Sequence, residues 1–546
     1  MTNPRLTLDS VSHVLPDGRT LFSDLNHTFE RGPTGLVGRN GVGKSLLARM
    51  LAGQMQPSSG RCLRSGSVHH LGQHVSTCAN ATVASLAGVD HILTAALRIE
   101  AGSSEPADFD TVGDRWDARE RLRDSLAHHG LGHLDASTPA RSLSGGEAVR
   151  VALIGTMLSD ADFLILDEPS NHLDRAHRLA LIDQLQHWTR GLIVISHDRQ
   201  LLDTMTRTIE LTSLGLRSYG GNYTFHAASK AQQRQHALHE LERRKRERQR
   251  DAQAMRAQCE RQARKQARGK RQGKEANQAK TLLDRQQERS ERSTGTLRTQ
   301  QATAKRELDL RVRDAAQRLE NDAPISLHAL PTSQVAQRRV AELDAVQLPH
   351  VPQSTRRIDL SLYGQQRVGV TGPNGCGKST LLKVLAGMID PLAGGRKTVF
   401  ETVYLDQRLA NLDPGRSVLS QLQDACPSAS EADLRMRLAH LDLDARKIVI
   451  PSASLSGGER LKAALACVLY ADPAPQLLLL DEPSNHLDLP SAEALEIMLR
   501  SYRGALVVVS HDEVFLGKLG LTDRLLAKEQ GWCLDAWGGI TARRIA

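Results

Sequence analysis

The sequence predicts an α/β protein: two tandem parallel-sheet domains joined by a long, basic, α-helical hairpin. Three observations predict it. Four stretches recur in the same order in both halves of the 546-residue chain. Each half alternates short apolar runs with helical patterns, the mark of a parallel sheet wrapped by helices. The stretch between the halves is rich in Arg, Lys, Gln, Ala and Glu, and has no Gly or Pro from Ala227 to Arg268, which favours continuous helix.

The repeat is read directly. TGLVGRNGVGKSLLARMLAG at Thr34 to Gly53 is matched by VGVTGPNGCGKSTLLKVLAG at Val368 to Gly387. LSGGE occurs at Leu143 and again at Leu455, and FLILDEPSNHLD at Phe163 returns as LLLLDEPSNHLD at Leu477. LIVISHD at Leu192 returns as LVVVSHD at Leu506. Spacings agree too: Lys44 to Gln73 and Lys378 to Gln407 are both 29 residues, and Asp167 to His197 and Asp481 to His511 are both 30. Only Gln73 to Ser144, at 71 residues against 49 from Gln407 to Ser456, differs. The first repeat therefore holds about 22 extra residues, placed at about 89–116 and acidic (Glu100, Glu105, Asp108, Asp110, Asp114). The domains are expected at 1–228, 229–325 and 326–546. FLIL, LIVIS, LLLL and LVVVS read as buried strands of α/β cores.

Charge is unevenly placed. Lys230 to Glu320 holds 26 Lys and Arg against 13 Asp and Glu, a local +13 in a chain of net +9, so the rest stands at −4. A polyanion is the partner that such a segment attracts. Seven scattered Cys without a CxxC pair point to a reducing compartment. The tracts His69, His70, His74 and His128, His129, His133 come closest to a metal cluster, without ligand spacing that marks one. No signal pattern opens the chain, and no apolar run approaches the ~20 residues that span a bilayer. A cytoplasmic protein without a membrane domain is expected.

GRNGVGKS and GPNGCGKS fit GxxxxGK[ST]: Gly38, Asn40, Gly41, Gly43, Lys44 and Ser45, then Gly372, Asn374, Gly375, Gly377, Lys378 and Ser379, with Thr380 following. Glycines let backbone N–H groups curl around phosphates at the positive end of the next helix. Lys44 and Lys378 can reach the β- and γ-phosphates, and Ser45 and Ser379 can ligate Mg²⁺. Asp167 and Asp481, at strand ends, are placed to hold the Mg²⁺ shell, and Glu168 and Glu482 to orient and deprotonate an attacking water.

With LSGGE in this company, both halves resemble ATP-binding cassette ATPases. The resemblance implies two P-loop ATP-binding cassette domains that bind ATP with Mg²⁺ and hydrolyse it at two composite sites. One would pair Lys44, Ser45, Gln73, Asp167, Glu168 and His197 with Ser456, Gly457 and Gly458. The other would pair Lys378, Ser379, Gln407, Asp481, Glu482 and His511 with Ser144, Gly145 and Gly146. His197 and His511 would be switch histidines near the γ-phosphate. One departure stands out: the aromatic that cassettes stack on adenine is missing near Leu15 and His350, so ATP over GTP rests on the resemblance.

Two fused cassettes, DEPSNHLD in both, and a charged linker together resemble the ABC-F proteins. That implies a monomer with its cassettes paired intramolecularly. It also implies a linker of two long helices that meets ribosomal RNA, and a role in translation, housekeeping or antibiotic-protective. The outgoing helix would extend ~60 Å at ~1.5 Å per residue, turn at Gly269 to Asn277 and return with an apolar seam at Ala304, Leu308, Val312, Ala315 and Leu319. Basic residues crowd the tip: Arg261, Arg264, Lys265, Arg268, Lys270, Arg271 and Lys274. Such a tip binds nucleic-acid phosphate in a salt-sensitive way. A solvated hairpin or tether, a DNA-associated ATPase and the motor of a transporter are the alternatives.

Overall fold

The four apolar runs become central strands, Phe163–Asp167, Gly191–Ile195, Leu477–Asp481 and Ala505–Val509, with every residue buried. They belong to a computed structural model that describes residues 4–73, 81–275, 299, 302–303, 305–313, 338–406 and 411–538, apart from 172, 213, 400, 442 and 486. Contacts divide the chain into two units, Met1–Thr224 with Ile325–Ala546, and Phe225–Pro324.

In the first unit each repeat builds a six-stranded sheet. The first has the order Val68–Leu71, Phe163–Asp167, Gly191–Ile195, Pro33–Val37, Arg207–Thr212 and Gly215–Tyr219. Its pairings are parallel until the last, which is antiparallel. The second repeat has the same order and directions, from Thr402–Leu405 to Gly531–Ala536. Side chains alternate across the sheet. Phe163, Ile165, Ile193 and Ile195 face the helix bearing Leu47, Met50 and Leu51, whereas Leu164, Leu166, Leu192 and Val194 face Leu181, Leu185 and Leu201. Each repeat adds a three-stranded antiparallel sheet, one built on Arg5–Val14 and one on Arg339–Gln347.

Residues 89–116 hold two short helices. Helices Asp90–Glu100 and Pro106–Val112 are tied by Arg98 to buried Asp108 at 2.6 Å, with Ser103 Oγ donating to the same carboxylate at 2.8 Å. Helix Gly145–Leu158 lies close to the segment after helix Val83–Leu86. A Cβ on Gly155 would sit 2.1 Å from the Ala87 carbonyl oxygen, so only glycine permits that approach.

The second unit contains most of one helix, Tyr223–Glu275, 53 residues long. The turn expected at 269–277 does not start where the glycines suggested, because the helix passes through Gly269 and Gly273. Two glycines at about 1 kcal/mol each are outweighed by the Lys, Arg, Gln and Ala around them. The remainder of that turn lies outside the described residues. Residues 305–313 return as helix, and Leu308 and Val312 of the expected seam are half-buried there. On the outgoing helix the half-buried positions Ala237, Leu241, Arg244, Glu247, Asp251 and Met255 recur every three or four residues, one face of a helix. Arg248 meets Asp309 at 3.4 Å. Ala304, Ala315 and Leu319 lie outside the described residues.

Candidate active site

Strands Pro33–Val37 and Arg367–Thr371 run into the glycine loops, and helices begin at Lys44 and Lys378. Gly43 and Gly377 stand before those helices with φ of 101° and 99°, where a Cβ would press on Phe22 at 2.9 Å and Val351 at 2.5 Å. Lys44 Nζ donates to the carbonyls of Gly38 (2.7 Å) and Arg39 (3.2 Å), and Lys378 Nζ to Gly372 (2.9 Å) and Pro373 (2.8 Å). Both ammonium groups thus fold over their loops, and burial lowers the pKa of Lys44.

Asp167 and Asp481 end their strands, and the next residues, Glu168 and Glu482, turn sharply with φ of 53° and 50°. That conformation is uncommon for a side chain of this size and is over-determined by its surroundings. The Glu168 N–H donates to Ile195 O at 2.8 Å and that of Glu482 to Val509 O at 3.0 Å. Each carboxyl is thereby set against a histidine: Glu168 lies 3.5 Å from His197 Nε2, and Glu482 lies 3.4 Å from His511 Nε2. Burial pushes both glutamates up to about 8, with the neighbouring lysine opposing and the neighbouring aspartate adding to the rise. Burial also takes His197 down to about 3 and His511 to about 4, each lysine adding to the fall. Near neutral pH the glutamic acids hold their protons and the imidazoles are uncharged. Tyr404 donates to Asp481 Oδ2 at 3.1 Å, while Asp481 Oδ1 and Glu482 Oε1 are buried and accept no hydrogen bond. Buried acceptors left open in this way suit a hydrated cation and a water.

The Glu482 proton favours the folded form, because the pKa is about 8 there against 4.5 for the unperturbed group. That contribution is fully present below pH 4.5 and is lost as the pH rises through about 8. Glu482→Gln, which imitates the protonated acid at every pH, is therefore expected to melt with the nucleotide-free parent at pH 4.5. It should melt several degrees above it at pH 8.5. A melting-temperature difference that does not change with pH would contradict the assignment.

Two cavities open beside these groups. One, of 450 Å³, is lined by Asn40, Gly41, Gly43, Lys44 and Ser45, and by Gln73, Asp167, Glu168 and His197. Leu15 and Arg19 complete its outer wall. Ser456, Gly457 and Gly458, expected opposite Lys44, start the helix Gly457–Leu469 outside those walls. The other, of 490 Å³, is lined by Asn374, Gly375, Gly377, Lys378, Ser379 and Thr380, and by Asp481, Glu482 and His511. Gly145 and Gly146 of the first repeat close it, and Ser144 caps their helix by accepting from Glu147 N–H. His350 lines this cavity, so the position without an aromatic does face it. Gln407 lies outside the described residues. Arg261, Arg264, Lys265 and Arg268 are exposed on the long helix, and the side chains of Lys270, Arg271 and Lys274 lie outside the described residues.

Sequence reasoning missed the residues that join the repeats. Asp488 caps its own helix through Ser491 N–H (3.0 Å) and also accepts from Asn40 N–H of the other repeat (2.8 Å). Asp174 caps through His177 N–H (3.1 Å) and accepts from Asn374 N–H (3.4 Å). An Asp before a helical pattern reads as a cap and nothing more. The double duty appears only when the repeats meet.

A family model described as ABC transporter matches residues 22–171 and 355–485. Over 544 residues the chain is 33% identical to the tylosin resistance ATP-binding protein TlrC of Streptomyces fradiae, covering 91% of this chain and 92% of that protein. It is 28% identical to the ribosome protection protein VmlR of Bacillus subtilis, covering 94% and 85%. The chain belongs to the ABC-F group of ATP-binding cassette ATPases. An ABC-F chain carries the cassette twice, which accounts for the duplicated sheets and loops. In fold it is similar to the archaeal ribosome recycling factor aABCE1, solved with the stalk protein aP1, at TM-score 0.58 and 18% identity over 98% of this chain and 91% of that one. ATP hydrolysis is the activity of the cassette family. Among the described residues no helix is long and apolar enough to cross a membrane.

Proposed function

We propose that this chain is a cytoplasmic, monomeric ATP hydrolase with two composite sites, whose closure on ATP sets the basic helical linker for binding to ribosomal RNA and so modulates translation. The observation that carries this reading is the cavity in which Gly145 and Gly146 of one repeat stand with Lys378, Ser379, Glu482 and His511 of the other. Lys378 leaves its loop carbonyls for the β- and γ-phosphates, and Gly145 and Gly146 offer N–H groups to the γ-phosphate. Once it has given up the proton that burial retains up to about pH 8 in the nucleotide-free site, Glu482 takes a proton from the attacking water as the water oxygen bonds to the γ-phosphorus and the bond to the bridging oxygen breaks, leaving ADP and phosphate. His511 holds the Glu482 carboxyl in place: its backbone N–H donates to Oε2 at 3.4 Å, and its uncharged ring stands 3.4 Å from Oε1. Ser379 and Asp481, and Ser45 and Asp167 in the first site, would hold Mg²⁺, which would supply neutralisation of phosphate charge. Lys44, Glu168 and His197 repeat these roles opposite Ser456, Gly457 and Gly458.

Closure is a two-state element that the γ-phosphate biases. The exposed Arg261, Arg264, Lys265 and Arg268 then meet RNA phosphate. The ribosome is favoured as the partner by the relative named for ribosome protection, and protection against an antibiotic by the one named for tylosin resistance. The test is co-sedimentation. With Mg-ATP, the chain carrying Glu168→Gln and Glu482→Gln is expected to pellet with ribosomes at moderate salt and to be released as salt rises. Absence from the pellet, or displacement by an equal mass of DNA, would sink the ribosomal reading.

A further inference from the structure

Arg178 lies on the helix Arg175–Gln186 of the first repeat and is 7% exposed. Its guanidinium has three engagements that no motif accounts for. Nη2 donates to Asp198, the residue after His197 in its own repeat, in a short charge-assisted bond. Nη1 donates at 3.1 Å to the carbonyl oxygen of His511, in the other repeat. The side chain also lines the 490 Å³ cavity beside Glu482, where its Nε has no hydrogen-bond partner. Asp512, the residue after His511, also faces this cavity, so the cation sits among three carboxyl groups.

The link is one-sided. Arg178 follows Asp174 by four residues, and four residues after Asp488 stands Ala492. An alanine cannot reach the carbonyl of His197, so the first cavity has no counterpart. We infer that Arg178 is a positioning residue acting across the repeats: it holds His511, and through it Glu482, for hydrolysis at the second site, and ties that geometry to the His197–Asp198 segment of the first. This rests on the two-site reading above. Its planar fork holds a carboxylate and a carbonyl at fixed angles, which a lysine ammonium does not reproduce.

The test uses the full chain with Mg-ATP, reading single-turnover phosphate release in two parents, Glu168→Gln (second site live) and Glu482→Gln (first site live). Arg178→Met is expected to slow release about tenfold in the first parent, with half-saturating ATP unchanged, and less than twofold in the second. Arg178→Lys keeps the charge against Asp198 and is expected to show the same split at an unchanged melting temperature; it carries the test if Arg178→Met does not fold. Equal slowing in both parents, or none, overturns the inference while leaving two sites standing. A parent that releases no phosphate with Arg178 intact removes the two-site reading, and this inference with it.

Discussion

Changing both Glu168 and Glu482 to glutamine is expected to slow steady-state ATP hydrolysis by about 100-fold or more, the contribution typical of a positioned general base. ATP binding should survive. Glutamine keeps the length of the side chain and an oxygen that accepts the backbone N–H of His197 or His511, both at 3.4 Å from the carboxylate in the parent. It cannot take a proton from water. Nor does it carry the charge that burial opposes in the parent, whose glutamates are pushed up to about 8. The double variant should therefore melt no lower than the parent at neutral pH, which separates loss of chemistry from loss of fold. Radiolabelled ATP retained on a filter, measured beside phosphate release, checks both halves. Hydrolysis within a few-fold of the parent would remove the two glutamates from the reaction.

What was legible in the sequence was what is local. A phosphate loop needs its glycines, lysine and serine within eight residues. A buried parallel strand needs one apolar run, and its terminal carboxylates come next in the chain. Hence the sheets and the loop residues are found where the repeats indicated. The left-handed turn at Glu168 and Glu482 was not legible, because nothing in DEPSNHLD separates a strained glutamate from a relaxed one; the strain belongs to the hydrogen bonds with the adjacent strand. Arg178 was hidden for another reason. In RAHRLALIDQ an arginine reads as part of a solvated helix face. Its burial depends on His511, which is 333 residues away. The glycines at 269 and 273 misled in the opposite sense, since local punctuation was outweighed by the helix formers on either side.

The second large effect is expected at Arg199, the residue that follows Asp198. Its side chain crosses to the other repeat and meets Glu496 at 2.5 Å, both groups 5% exposed, and Lys518 reaches the other oxygen of Glu496 at 3.2 Å. Tyr223, at the start of the long helix, also touches Arg199, and burial pushes its phenol up to about 12. The corresponding positions of the opposite pair are Glu513 and Ile182, so this pairing too occurs once. Arg199→Ala leaves Glu496 buried with one cation instead of two and is expected to lower unfolding free energy by about 3–5 kcal/mol. Urea denaturation would read that loss. Changing Arg199 and Glu496 together to methionine removes both charges at similar volume, and should fall within about 1–2 kcal/mol of the parent in either direction. The pair of results distinguishes an uncompensated buried charge from lost packing. A loss below about 1 kcal/mol for Arg199→Ala is the value of an exposed, screened pair. It would mean that the Arg199–Glu496 pair is open to water in solution rather than buried between the repeats.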